Sequence, residues 1–244
     1  MPQFYWKDRI SMEIKNYTYL FINLACIAIP LVASFYPKHS FFKEWPYFLP
    51  ANIVVATLFI IWDYFFTAMG IWGFNPDYLT ELYLFNLPLE EVLFFFAIPY
   101  ACVFTWFSIN YLVKNNPLKR YQAAITISLA ILFILVGIGF WGKWYTSLTA
   151  LLAGTYLLLA FYKKRNLSYV YLSYIIVLPF FFMSNGLLTG SLLDEPIVWY
   201  DNTYNLDLRI GTIPIEDSVY GFLLVLMNID LYQWLKGKLS AEKV

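Results

Sequence analysis

FNLPLEEVLFFFAIPY, residues 85–100, sets two adjacent carboxylates, Glu90 and Glu91, just after a proline and inside an apolar run. A second stretch, RIGTIPIEDSVYGFLLVL at 209–226, repeats that core as Pro214, Glu216 and Asp217, again heading an apolar run. The surrounding chain is 61% hydrophobic and 22% aromatic, with a mean hydropathy of +0.60. Only 13% of it is charged, about half the ~25% of a soluble domain. Several segments reach the ~20 apolar residues that cross a bilayer. The pattern predicts an all-α integral membrane protein.

Seven spans are predicted, at about 17–36, 47–71, 82–112, 121–141, 145–162, 167–192 and 211–235. Pro88 and Pro99 mark the long third span as kinked or interfacial at its start, and KGKLSAEKV reads as a short polar tail. Basic residues set the orientation. With the N-terminus outside, outer segments hold Lys7, Arg9, Lys15, Lys143 and Arg209. Inner segments then hold Lys38, Lys43, Lys114, Lys119, Arg120, Lys163, Lys164, Arg165, Lys236, Lys238 and Lys243. That imbalance places the C-terminus in the cytoplasm and the protein in the cell membrane. The mixed, charged N-terminal stretch does not read as a cleaved signal peptide.

Other classes are excluded early. Sixteen basic residues balance sixteen acidic ones, which gives no reason to expect nucleic acid. Cys26 and Cys102 lie in apolar spans and read as small buried hydrophobes. His39 reads as a solvated loop residue, and one histidine without a CxxC pair points to no metal. No GxGxxG occurs, so no nucleotide or flavin site is expected.

The two proline-acid motifs lie 126 positions apart, Glu90 and Glu91 against Glu216 and Asp217. Upstream of each stand a Thr/Gly element (Thr67 to Gly70, and Thr189 to Gly190), a tryptophan and a polar connection. Asp63 in the second span corresponds to Asn185 in the sixth. Spans 1–3 therefore match spans 5–7, with span 4 as the link. The units are a first three-helix repeat at 1–112, a linking helix at 113–144 and a second repeat with the tail at 145–244. Corresponding spans are four apart, so both copies thread the membrane in the same direction, as parallel repeats do. Reckoned at ~1.5 Å per helical residue, Glu90 and Glu91 fall roughly eight residues below the outer end of span 3. Glu216 and Asp217 fall about five residues into span 7, at the depth of Asp63 and Asn185.

A charged carboxylate inside a bilayer costs ~2.5–3.5 kcal/mol on insertion scales. In an apolar pocket the neutral acid is the less costly form, and it is then poised to give up a proton. Only Arg209 lies near the acids in sequence, so ion pairing leaves most of them unmatched. The same residues also fit a helix start, because Pro followed by acids marks a first turn. Asp63 and Asn185 also fit interhelical hydrogen bonding, and Asp230 reads as an inner-interface residue. Aromatic side chains crowd the same level, among them Trp72, Phe94 and Tyr220. Most read as interfacial belt and packing, while some could wall a pocket that stabilises a carbocation. Neutral acids beside aromatic walls suit protonation of an alkene.

PLEE followed by VLFFF, its repeat PIED, and the upstream Asp63…Thr67…Gly70-Ile-Trp72-Gly-Phe-Asn75 resemble the membrane-integral lycopene cyclases. These comprise a heterodimeric bacterial type and single-chain archaeal and fungal fused forms. The resemblance covers essentially all seven predicted spans, and both motif copies in one chain look like the fused form. It implies lycopene and related bilayer-dissolved polyenes as substrates, no cofactor, and no need of a separate partner subunit. It also implies an isomerase that closes linear ψ ends into β-ionone rings by carbocation chemistry. In that scheme Glu90 or Glu216 protonates C2 of the terminal alkene, and Glu91 or Asp217 removes the C6 proton after closure. Asp63, Asn185, Trp72, Phe94, Tyr220 and Thr67 support the site. The second copy departs from the pattern: Asp217 stands for the second Glu, Ser-Val-Tyr-Gly-Phe for the Phe run and Asn185 for the aspartate. The resemblance thus implies more acid chemistry in the first copy.

Ring type and C40 against C50 substrates are left open by the sequence. Two other classes compete. A seven-helix retinal photoreceptor needs a lysine in mid-span 7, whereas Lys236 and Lys238 come only at its end. A proton-coupled transporter needs polar residues at several depths, whereas these gather at one outer level.

Overall fold

The computed structural model of the chain describes residues 15–241. Apolar runs form seven helices there: α1 (Thr18–Ala33), α2 (Trp45–Ala68), α3 (Leu89–Leu112), α4 (Gln122–Gly139), α5 (Trp144–Tyr162), α6 (Ser168–Leu188) and α7 (Ile215–Ala241). Five stretches, one built on each of α2 to α6, are long and apolar enough to cross a membrane. The chain is a multi-pass helical membrane protein. α1 has 16 residues, or about 24 Å. α7 has 27 residues but carries Asn228, Asp230 and Gln233 among its apolar ones.

The segments between α2 and α3 and between α6 and α7 are built alike. The first holds β1 (Trp72–Phe74), β2 (Tyr83–Leu84) and β3 (Leu87–Pro88); the second holds β4 (Val198–Tyr200), β5 (Arg209–Ile210) and β6 (Ile213–Pro214). β2 with β3, and β5 with β6, form two-residue hairpins that run straight into α3 and α7. Each hairpin needs a left-handed residue at its first turn position, Phe85 (φ 57°) and Gly211 (φ 64°). Only the glycine takes that conformation without strain.

These hairpins correct the predicted span limits. Residues 82–88 were expected inside a helix, but the turn at Phe85 and Asn86 reverses the chain. Pro88 then sits extended at the N-cap (φ −63°, ψ 147°). Both acid pairs consequently lie in the first turn of their helices, not eight and five residues below an end. α6 ends at Leu188 rather than 192, and the segment expected as a polar tail is helical to Ala241. Pro99 lies inside a continuous α3. Lys7, Arg9, Lys243 and the signal-peptide reading fall outside the described residues.

α3 and α7 form the centre and pack on each other. α1 lies on α3 and α5 on α7, while α2 lies on α7 and α6 on α3. β1 pairs antiparallel with β4, matching Trp72 to Tyr200, Gly73 to Trp199 and Phe74 to Val198. Two flanking bonds, Asn75 N to Ile197 O (2.8 Å) and Asp201 N to Ile71 O (2.9 Å), extend the ladder evenly on both sides. A Cβ at residue 73 would lie 2.3 Å from the Trp199 ring, so only glycine fits. α4, whose Thr126 also bonds Tyr171 of α6 at 2.6 Å, packs chiefly on α5. There a Cβ at Gly154 would meet Ile134 at 2.8 Å and the Ala130 carbonyl at 3.0 Å, the close approach that small residues permit in membranes.

Candidate active site

Because α3 and α7 both start with acids in their first turns, their packing brings the two pairs to one level. Between them and the β1–β4 ladder lies a cavity of about 60 Å³. Glu91, Asp217, Asp63 and Asn185 line it, together with Trp72, Phe94, Tyr220, Tyr19, Tyr145, Tyr200 and Gly221. Of the residues predicted for the site, seven are thus gathered on one cavity. Glu90, Glu216 and Thr67 are not among its lining.

Asp217 is the most fully bonded acid. Tyr145 donates to its Oδ1 at 2.5 Å, while Asn185 Nδ2 (2.7 Å) and the Tyr200 hydroxyl (3.0 Å) donate to its Oδ2. Burial, and then the neighbouring Asp217, push the Tyr200 hydroxyl well above the ordinary tyrosine range. Tyr200 therefore remains a donor. Glu91 accepts one bond, from Tyr19 at 2.5 Å to Oε2. Asp63 Oδ1 accepts from the Trp72 indole and, at 3.4 Å, from Thr67. Asp63 Oδ2 and the Tyr220 hydroxyl are buried with no hydrogen-bond partner among the described residues. An unmatched buried polar group costs about 1–3 kcal/mol, and here both belong to residues that line the cavity.

The first acid of each pair does something else. Glu90 Oε1 accepts from Thr80 N at 2.7 Å, and Glu216 Oε1 from Leu206 N at 2.8 Å. Each thus ties the connection ten residues upstream to the helix start. Thr146 adds a bond to Glu216 at 2.5 Å, and Asn23 donates to the Glu90 carbonyl at 2.8 Å. The second oxygen of each glutamate is buried without a partner among the described residues.

Tyr19 and Tyr145 are site residues that the sequence reading missed. The signal was present, since they are the same residue type at the 126-residue spacing of the acids. Arg209 bonds Thr212 O and Asn202 instead of an acid. Asp230 pairs with Arg165 at 2.5 Å and accepts from Tyr156 at 2.9 Å, away from the cavity. His39 is not simply solvated: its ring stacks on Phe107 and Tyr111, with centroids 3.9 and 4.2 Å away. Among the described residues no cluster of three or more His, Cys, Asp or Glu is set to hold a metal ion.

The fold and site together define a polytopic helical membrane protein with an acid-bearing, aromatic-walled cavity. A family model described as lycopene cyclase matches the chain twice, over residues 16–109 and 142–235. The chain belongs to the lycopene cyclase family and, as a member, is an enzyme acting on carotenoids. No curated protein and no solved structure matches it.

Proposed function

We propose that the chain is a lycopene β-cyclase, an isomerase that closes the linear ψ ends of lycopene into β-ionone rings. γ-Carotene forms after one closure and β-carotene after two. The observation that carries this reading is the convergence of Asp63, Glu91 and Asp217 on one small aromatic cavity. A proton adds to C2 of the terminal C1=C2 bond and leaves a tertiary cation at C1. The C5=C6 electrons then form the C1–C6 bond and move the cation to C5. Loss of the C6 proton restores the C5=C6 bond, so one proton enters, one leaves and no electrons are exchanged.

The hydrogen bonds suggest a division of roles. A carboxylate only accepts, and Asp217 receives three donors; it is read as the standing anion that faces the cation and takes the C6 proton. Glu91, with one donor, and Asp63, with an unmatched oxygen, are read as the pair that shares the proton to be given. Two acids facing one cavity resist double ionisation. Trp72, Phe94 and Tyr220 offer π faces to the cation and keep out water, which would trap it as an alcohol. Glu90 and Glu216, expected from the resemblance as donors, are read as positioning residues that clamp the two connections.

In this reading all seven helices cross the cell membrane, with the N-terminus outside and the C-terminus cytoplasmic. Residues 1–112 and 145–244 form two parallel three-helix repeats joined by 113–144, related by a two-fold axis along the membrane normal. Support comes from the matched hairpins, from the even β1–β4 ladder and from the paired bonds at Thr80–Glu90 and Leu206–Glu216. One chain supplies both halves, so no second subunit is needed, and the substrate arrives dissolved in the bilayer.

The test is pigment analysis in a lycopene-accumulating bacterium expressing the wild type, Glu91→Gln or Asp217→Asn. Cyclised pigment from the wild type and its loss in both variants are expected. Lycopene left intact by folded, membrane-inserted wild type would overturn the lycopene reading, and ε-rings would overturn the β assignment.

A further inference from the structure

The two halves differ at the seams between α2 and α3 and between α6 and α7. At the 126-residue spacing, Phe94 corresponds to Tyr220, Ile98 to Leu224, and Phe95 to Gly221. At the 122-residue spacing that relates Asp63 to Asn185, Phe59 corresponds to Phe181. In the first half Phe59 of α2 and Phe95 of α3 pack ring to ring, with centroids 6.1 Å apart and both buried, against Tyr220 and Leu224 of α7. In the second half Phe181 faces a glycine. A Cβ at Gly221 would sit 3.6 Å from the Phe181 ring and 3.4 Å from the Tyr174 hydroxyl. Gly221 and Phe181 both line the cavity and are half-buried. α6 also touches α7 far less than α2 touches α3. Its outer face, with Ile175, Phe180 and Met183 exposed, presents only apolar groups beside this seam.

We propose that the seam between α6 and α7, at Gly221 and Phe181, is the one lateral portal through which a polyene end passes from the bilayer to the acids. This inference rests on the cyclase reading and deepens it. A conjugated polyene is rod-like and far longer than the cavity, so only its terminal group reaches Asp63, Glu91 and Asp217 while the remainder lies along α6 in lipid. A molecule with one portal processes the two ends in sequence, releasing the half-cyclised product and taking it back by its other end. The first half cannot serve as a second entrance, because the Phe59–Phe95 contact fills the equivalent gap.

Gly221→Phe recreates that contact in the second half. It is expected to lower cyclised pigment about ten-fold or more, because the added ring fills the passage beside Phe181. It should lower lycopene co-purifying with the detergent-extracted protein to a similar degree. Leu135→Phe, which adds a ring at an exposed position of α4 outside the cavity lining, should behave as wild type. The double variant Gly221→Phe/Phe181→Ala removes the opposing ring and should regain pigment binding and turnover. Folding is followed by membrane insertion and thermal stability. A folded Gly221→Phe with wild-type pigment binding and turnover would overturn the portal, as would a folded double variant that regains neither. Pigment binding separates this outcome from failure of the cyclase reading, in which the wild type binds lycopene without cyclising it.

Discussion

Tyr145 and Tyr19 test the division of roles between the halves, because they hold the same place in the repeat and each bonds one acid. Both are buried, and both donate at 2.5 Å, Tyr145 to Asp217 and Tyr19 to Glu91. Changing either to Phe deletes one hydroxyl and keeps the ring; for Tyr145 that preserves its contacts with Trp72 (5.1 Å) and Tyr200 (5.9 Å). A hydrogen bond to an ion is worth about 1.5–3 kcal/mol and a neutral one about 0.5–1.5. With tenfold in rate for each ~1.4 kcal/mol, Tyr145→Phe should slow cyclisation on the order of 10- to 100-fold. Tyr19→Phe should slow it by about 2- to 10-fold if Glu91 is neutral when it gives its proton. The assay is initial turnover of lycopene in proteoliposomes, read by chromatography, with thermal stability measured on the same preparations. Equal losses, or a larger loss for Tyr19→Phe at matched stability, would refute the assignment of Asp217 as the standing anion.

Four further outcomes follow from the same contacts. Glu90→Gln keeps an oxygen for the Thr80 amide, so in the pigment assay it should retain a measurable fraction of activity where Glu91→Gln retains none. Asn185→Asp replaces the amide donor 2.7 Å from Asp217 Oδ2 with a second acid. It should cut neutral-pH turnover about ten-fold, with partial recovery on acidification as the new carboxyl gains a proton and again donates. Gly154→Val drives a side chain against Ile134 and the Ala130 carbonyl and should cost about 1–3 kcal/mol, read as a lower melting temperature. Arg165→Met strands the buried Asp230 and should cost about 3 kcal/mol, most of it recovered in Arg165→Met/Asp230→Leu.

Much of this was legible because membrane segments obey a coarse rule. Composition alone gives helices when no water is present to satisfy backbone groups, and helical limits such as those of α4 and α5 fall within a residue or two of the sequence reading. The hairpins were not legible in the same way. Leu82, Leu84, Phe85 and Leu87 are as apolar as any span, so hydropathy runs straight through them, and only Asn86 and Pro88 hint at the reversal. The error in depth followed from that, since the acids were placed inside a helix that begins one residue before them. The convergence of Asp63, Asn185, Glu91 and Asp217 survived because it rests on the repeat rather than on span limits. The separation of Glu90 from Glu91 could not be read, because adjacent helical residues point about 100° apart and sequence does not say which faces the partner helix.

The repeat also shows where function breaks symmetry. A strict two-fold copy would carry two identical acid sites and two identical seams, with no reason for a proton to move in one direction. Two substitutions remove that equivalence. Asn185 in place of an aspartate turns a potential acid pair into a donor and an acceptor, which leaves Asp217 surrounded by hydrogen-bond donors. Gly221 in place of a phenylalanine leaves one seam without its second ring, closed only by Phe181 and by Tyr174, whose hydroxyl donates to Ser218 O at 2.5 Å. The cation, once formed in the cavity, is best placed beside the half proposed to hold the anion, and Gly221 lies one turn beyond Asp217 on α7. On the proposed roles, portal and proton acceptor share a helix. Asp63 and Glu91, the pair proposed to share the proton, line the same cavity from α2 and α3. In the proposed mechanism the alkene is then protonated from one wall and deprotonated at the other, and the ring closes between them.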